Sequence, residues 1–266
     1  MKNSEQYLSG KVSLVTGSSS GIGLAIAETL AAKGCHIILH GIENESEMTS
    51  LCIEMREKYH VEVMYFQADL SLPDAITELA KEIKENVGEI DILINNAGIQ
   101  HVSPVEDFPD EKWDKIIALN LSSAFHLIKA VVPGMKKKGF GRIINIASAH
   151  GLVASPFKSA YVSAKHGIVG LTKCVALEVA RCNITVNAIC PGYVLTPLVE
   201  HQIPATAKAK NMTEKEVIEN VLLAAQPTRQ FVTTDQIAAM AAFLCADNAA
   251  SVTGSALTVD GGWTAH

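Results

Sequence analysis

Residues 12–33 read VSLVTGSSSGIGLAIAETLAAK, and this stretch decides the fold. Val12 to Thr16 is the short, mostly apolar run of a strand covered on both faces. Thr16-Gly17-Ser18-Ser19-Ser20-Gly21-Ile22-Gly23 is a glycine-rich turn, and Ile22–Lys33 takes up a helical period. Such glycines permit a tight turn, bare backbone for a pyrophosphate, and close packing of helix on strand. The start of the helix offers free N–H groups and a positive dipole end to phosphates. No Gly-Lys-Ser/Thr follows, which excludes a P-loop. A glycine-rich turn alone would serve any tight strand-to-helix connection; its place at the start of an α/β chain favours a dinucleotide.

Outward from this unit the alternation continues. Val12–Thr16, His36–His40, Val61–Gln67, Asp91–Ile94, Arg142–Ile146, Ile184–Cys190 and Ala256–Val259 read as strands. Helical patterns fall near Ile22–Lys33, Ser46–Tyr59, Pro73–Val87, Asp110–Lys138, Ser159–Arg181 and Thr234–Cys245. The expectation is an α/β fold: a doubly wound parallel sheet of about seven strands, Rossmann-like, with right-handed crossovers. No repeat or linker divides the chain, so residues 1–266 form one expected domain. One segment breaks the rhythm, about 193–228, where Thr213-Glu214-Lys215-Glu216 is a capping box and Val217, Ile218, Val221 and Leu222 share an apolar face. A helical excursion at the strand carboxyl ends reads as a lid over a ligand; a surface embellishment or subunit contact is the alternative.

The 266 residues carry 22 Lys+Arg against 28 Asp+Glu, a net charge of -6, which disfavours nucleic acid as a partner. Apolar types at 48% and charged types at 19% exclude disorder and fibrous repeats. Met1 to Gly10 has no apolar core of a secretory signal, and no apolar run approaches the roughly 18 residues of a membrane helix. The expectation is no membrane partner. Cys35, Cys52, Cys174, Cys182, Cys190 and Cys245 are scattered, so buried reduced thiols and a cytoplasmic location are expected, not a disulfide frame or zinc site.

Charge also bears on the dinucleotide. The ribose 2′ position lies near the end of the second strand, around His40-Gly41-Ile42-Glu43. No Arg or Lys stands between Gly34 and Met55, while Glu43, Glu45 and Glu47 crowd the segment, so NAD is expected over NADP. The usual strand-tip Asp is replaced by Gly41, which shifts the expected discrimination to apolar contact by Ile42 and exclusion of phosphate.

Tyr161 and Lys165 are four residues apart in a helical stretch, on one face. A phenol with a pKa near 10 is a poor base at neutral pH, and a nearby ammonium lowers it. Ser148 follows the fifth strand at its carboxyl end, thirteen residues upstream of Tyr161, with a hydroxyl for a carbonyl or alkoxide. Tyr-x-x-x-Lys by itself is an ordinary surface pair; the glycine turn and the strand-end Ser give it meaning.

With these motifs, with Asn95-Asn96-Ala97-Gly98, Asn120 and Pro191-Gly192 in order from about Lys11 to Gly262, the chain resembles the short-chain dehydrogenase/reductase family. Asn95 to His101, Ile146 to Ser155 and Asp260-Gly261-Gly262-Trp263 resemble its bacterial D-3-hydroxybutyrate dehydrogenase branch. The resemblance implies catalysis by Asn120, Ser148, Tyr161 and Lys165, with Asn120 holding a water in a proton relay. It implies a cofactor site of Gly17, Ser19, Ser20, Gly21, Ile22, Gly23, Ile42, Asp69, Leu70, Asn96, Gly98, Tyr161, Lys165, Pro191, Gly192, Val194 and Thr196. It implies a substrate site of Gln100, Ser148, His150, Lys158, Tyr161 and Gln202 gripping a small 3-hydroxy or 3-oxo carboxylate. A homotetramer is implied as well. Four separated segments then surround one reacting carbon with donors, which a small carboxylate needs where water is excluded.

Several residues carry plainer readings. His40, His101 and His166 lack ligand-spaced partners, so no metal is expected. Trp263 reads as terminal packing that has a chance of covering a substrate methyl. Two other functions compete: an NADPH-dependent reductase of another ketone such as a 3-oxoacyl thioester, and a member of the fold without chemistry. The first asks for basic residues at the second-strand tip, the second for a lost Tyr or Lys.

Overall fold

In a sheet covered by helices on both faces, successive residues of each strand must feed two different cores. That is what the strands do. The computed structural model describes residues 6–265 apart from 201–202, 205–206 and 209–210. β1 (Val12–Val15), β2 (His36–Gly41), β3 (Val63–Gln67), β4 (Ile92–Asn95), β5 (Gly141–Ile146), β6 (Ile184–Pro191) and β7 (Ala256–Val259) form one parallel sheet in the order β3-β2-β1-β4-β5-β6-β7. Ile37 and Leu39, Ile92 and Ile94, Ile144 and Ile146 pack into one core with Ile26 and Leu30 of α1 (Gly21–Ala32) and Ile237 of a late helix. Their neighbours Ile38, Leu93 and Ile143 face the opposite core with Ile76, Leu79, Leu127, Val131 and Val175.

β1 pairs with β2 on one side and β4 on the other, both parallel. The winding therefore reverses between β1 and β4, and a crevice opens outside their carboxyl ends. The expected strand limits hold within two residues. α2 (Glu45–Tyr59) and α3 (Pro73–Asn86) follow β2 and β3. A departure comes next. The expected single helix 110–138 is α4 (Asp110–Ile117), a π-turn over Ala118–Ser122, and α5 (Ser123–Lys138), with the Ser123 N–H donating to the Ala118 carbonyl. Taken whole, 110–138 is long and apolar enough by length and composition to cross a membrane, which the sequence reading did not register. In the fold Leu127, Ile128, Val131 and Met135 of that run are buried against the sheet.

After α6 (Ser159–Val179) and β6 the excursion forms α7 (Pro197–Glu200) and α8 (Glu214–Val217), then a π-turn at Ile218–Leu222. The capping box is present: Thr213 N–H donates to Glu216 Oε2 at 2.8 Å and the Glu216 N–H to Thr213 Oγ1 at 3.2 Å. Ile203, Ala207, Val217 and Leu222 make a small core of their own. Its two ends meet, because Val194 and Val232 form an isolated parallel bridge and the Val232 N–H donates to the Tyr193 carbonyl at 2.9 Å. α9 (Thr234–Cys245) then returns to the sheet beside α1.

Candidate active site

The glycine-rich turn is built by backbone geometry. Gly17 and Gly21 have φ of +59° and +58°, a region that disfavours side chains. A Cβ at Gly23 would run into the Gly17 carbonyl and stand 2.6 Å from Asn96 Nδ2. Asn96 ties the turn to β4, since Nδ2 donates to the Thr16 and Gly17 carbonyls at 2.9 Å each. Ser20 is the N-cap of α1, yet its side chain makes no capping hydrogen bond, so the first-turn N–H groups face the crevice uncapped.

At the tip of β2 the acidic residues separate. Glu47 accepts from the Asn44 N–H at 3.0 Å as part of an N-terminal cap, and Glu45 lies in the exposed first turn of α2. Only Glu43 turns back, where Ser19 Oγ donates to Oε1 at 2.7 Å and the Tyr65 hydroxyl lies 3.4 Å from Oε2. Partial burial raises the Glu43 pKa, but the Ser19, backbone and Tyr65 hydrogen bonds outweigh it and hold the carboxyl below its usual value. His40 is a buried strut: the Gly17 N–H donates to Nδ1 at 3.3 Å, and Nε2 donates to the Ala68 carbonyl at 3.2 Å. Burial pulls its pKa down to about 4. Ile42 is 73% exposed at the rim. Asp69 accepts from Ser71 N–H and Oγ at 2.9 and 2.7 Å, which holds it ionised.

Asn120 sits in the π-turn, buried, with both side-chain atoms engaged. Oδ1 accepts from the Ile99 N–H at 2.9 Å and Nδ2 donates to the Ile99 carbonyl at 2.8 Å. Its side chain thus fixes the loop after β4. Ser148 Oγ accepts from the His150 N–H at 3.1 Å, and Ser148 and Tyr161 line the same cavity. Tyr161 departs from expectation. Burial pushes the phenol up to about 12, against the Ser148 hydrogen bond that lowers it. The ammonium of buried Lys165 lies 5.5 Å from the Tyr161 ring centre and donates to the Ile146 carbonyl at 2.8 Å, and burial pulls its pKa down to about 8. The i, i+4 spacing brings the two groups together, but desolvation outweighs the expected lowering of the phenol.

The other end of the crevice is aromatic. His150 is buried, its Nε2 2.9 Å from Ser155 Oγ and its ring edge-on to Tyr161 and Trp263 at 6.0 and 4.9 Å. Burial first, then Lys158 and His166, pull its pKa down to about 3, so it acts as a neutral imidazole. Lys158 Nζ donates to the Tyr193 hydroxyl at 3.2 Å, and the Tyr193 ring stacks on Trp263 at 5.4 Å. Asp260 holds that tryptophan by accepting from the Gly262 and Thr264 N–H groups at 3.0 and 2.9 Å.

These groups line one cavity of about 480 Å³. Every residue expected at the cofactor site lines it except Gly23, which acts from behind the turn. Gln100, Ser148, His150, Lys158 and Tyr161 line it as well; Asn120 stands behind the wall, and Gln202 falls outside the described residues. The sequence reading missed Lys115 and Tyr193; Glu43, which it set near the ribose among three acidic residues, lines the cavity, and Trp263 stands in the wall, in line with the second of its two readings, a cover over the substrate. Proline-glycine before Tyr193 was the available signal for that wall. Among the described residues no group of three or more His, Cys, Asp or Glu gathers as a metal site. All six cysteines are free, and Cys174 is exposed where a buried thiol was expected.

Comparison with known proteins agrees with this geometry. The family described as short chain dehydrogenase matches residues 11–207. A D-beta-hydroxybutyrate dehydrogenase of Rhizobium meliloti (strain 1021) is 55% identical over 256 residues, 96% of this chain and 99% of that protein. Another, from Cupriavidus necator, is 50% identical over 259 residues, 97% of this chain and 100% of that protein. The crystal structure of L-sorbose reductase from Gluconobacter frateurii, complexed with NADPH and L-sorbose, superposes with a TM-score of 0.91 at 33% identity, covering 97% of this chain and 98% of that one. By fold, site and sequence, the chain belongs to the short-chain dehydrogenase family.

Proposed function

We propose that this chain is an NAD-dependent oxidoreductase that interconverts (R)-3-hydroxybutyrate and acetoacetate. The observation that carries the reading is Lys158, a half-buried cation lining the crevice with Trp263, Tyr193, His150, Ser148 and Tyr161. A small carboxylate needs such a charge-assisted donor where water is excluded. The near full-length likeness to two D-beta-hydroxybutyrate dehydrogenases supports the same substrate.

The residues present fit a dinucleotide: the collision at Gly23 keeps helix and turn in close contact, and uncapped N–H groups face the crevice. Gly17, Ser19, Ser20, Gly21 and Ile22 would hold the pyrophosphate; Ile42, Asp69 and Leu70 the adenosine; Asn96, Gly98, Pro191, Gly192, Val194 and Thr196 the nicotinamide half. When bound, NAD supplies the hydride acceptor of the oxidation. Tyr161 takes the hydroxyl proton in oxidation and returns it in reduction. Because burial keeps the phenol neutral at neutral pH, it is a ready acid for reduction and must ionise first for oxidation. The Ser148 hydroxyl steadies charge on the substrate oxygen, and the Lys165 ammonium favours the phenolate. Asn120 holds the Ile99 loop that forms the facing wall. Gln100, neutral His150, Lys158 and Gln202 grip the carboxylate, with residues 193–228 as a lid that excludes water. Exposed Phe125 and Leu177 on α5 and α6 support a homotetrameric form, and six free thiols a cytoplasmic one.

The test follows formation of reduced nicotinamide with NAD or NADP against (R)-3-hydroxybutyrate, its mirror image, and 2-butanol. Turnover confined to NAD with the (R)-acid is expected. Equal rates with the carboxylate-free alcohol would refute the substrate class.

A further inference from the structure

We infer that Glu43 takes the place of the acidic residue missing at the tip of β2, accepting from the adenosine ribose hydroxyls and turning away a 2′-phosphate. The inference rests on the dinucleotide reading of the crevice and names the residue that selects between the two forms.

Gly41 ends β2, where a strand-tip side chain would meet the ribose. Its φ is not in the left-handed region, so backbone conformation does not demand glycine there. Space does. A Cβ on Gly41 would run into Glu43 Oε2, stand 3.2 Å from its carboxyl carbon, and lie 3.1 Å from the Tyr65 hydroxyl. The volume that a strand-tip side chain would fill is therefore already taken by a carboxylate supplied from two residues farther on.

That carboxylate is held. Ser19 Oγ donates to Oε1 at 2.7 Å, the Tyr65 hydroxyl donates to the Glu43 carbonyl at 2.7 Å, and Gln67 Nε2 donates to the Ile42 carbonyl at 3.0 Å. Ser19 belongs to the glycine-rich turn, so its bond to Glu43 spans the gap between that turn and the β2 tip. A 2′-phosphate entering there would meet a fixed negative charge, with no Arg or Lys from Gly34 to Met55 to answer it. Repulsion at such range is worth roughly a hundred-fold in affinity, and a charge-assisted hydrogen bond to a hydroxyl roughly ten-fold or more. Glu45 and Glu47, spent on the start of α2, do not share the task.

The experiment measures binding by titration calorimetry on the full chain, with NAD, NADP, 5′-AMP and adenosine 2′,5′-bisphosphate, so that it reads affinity and not turnover. The native protein should prefer each ligand that lacks the 2′-phosphate by roughly a hundred-fold. Glu43→Gln, isosteric and in a surface loop, and Glu43→Ala should reduce that preference below about ten-fold, with unfolding temperatures confirming intact folds. In the Glu43→Ala background, Gly41→Asp should restore the preference, because it returns a carboxylate to the same space. An unchanged ratio in both Glu43 variants, or a failed restoration, overturns the inference while native NAD binding leaves the dinucleotide reading standing. Binding of neither dinucleotide by the native protein overturns both.

Discussion

Lowering the pH from about 7 to about 4.5 should cost the fold about 2 kcal/mol through His40 alone. The buried imidazole accepts from the Gly17 N–H on Nδ1 and donates from Nε2 to Ala68, so a second ring proton would face another N–H. Folded, its pKa is pulled down from 6.5 to about 4 by burial. The unfolded chain therefore binds the proton first, and stability is lost as pH falls from about 6.5 toward about 4, then levels off. The full difference is about 3 kcal/mol, most of which falls in that interval. His40→Asn keeps an acceptor for Gly17 and cannot titrate. Urea unfolding of both proteins at the two pH values isolates the effect, because carboxylates and His150 titrate in both and cancel in the comparison. The native protein should lose about 2 kcal/mol more than the variant over the interval. If the two lose the same amount within about 0.5 kcal/mol, the strut is not what the acid breaks.

Three further outcomes follow from the site. Gly23→Ala should destabilise the protein by about 1–3 kcal/mol and weaken NAD binding about ten-fold, since its Cβ has nowhere to go; an unaltered dissociation constant would contradict the cradle. Lys158→Ala should raise the KM for 3-hydroxybutyrate about 10- to 100-fold with NAD affinity intact, and Tyr193→Phe should move KM in the same direction by less; equal losses of acid and cofactor binding would speak against a carboxylate clamp. Tyr161→Phe should lower kcat at least about 100-fold while NAD still binds, and native oxidation should quicken from neutral to alkaline pH as the raised phenol ionises; a flat profile would show that this proton does not limit the rate.

The sheet was legible because its strands are buried on both faces. An apolar run such as Ile37-Ile38-Leu39 has one meaning when successive residues alternate between two cores. The π-turn at Ala118–Ser122 was not, since one extra residue in a turn barely disturbs a helical period averaged over 110–138. Lys158, Ser148 and Tyr161 could be placed from strand ends and spacing. Trp263 and Tyr193 meet only because the chain terminus and the start of the excursion share one side of the sheet, which no local pattern encodes. Burial is equally nonlocal. The Tyr161 and Lys165 spacing announced a neighbour, but not the dry surroundings that raise one pKa and lower the other. Likewise Glu43, Glu45 and Glu47 form one acidic block on paper, and hydrogen bonds to Ser19 and Asn44 divide it into a pocket wall and a helix cap.

The bridge between Val194 and Val232 has a consequence for how such a protein can change. Where a loop leaves and rejoins its scaffold at one clasp, its interior can lengthen or shorten while the scaffold registers almost nothing; doubling the contour adds only about 0.6 kcal/mol of closure entropy. On the proposed reading of 193–228 as a lid, insertions beyond Thr196 within the clasp would change how fast a ligand leaves, while Ser148, Tyr161 and Lys165 stay in place. The excursion can thus vary in length while the sheet and the helix that carries Tyr161 and Lys165 keep their places.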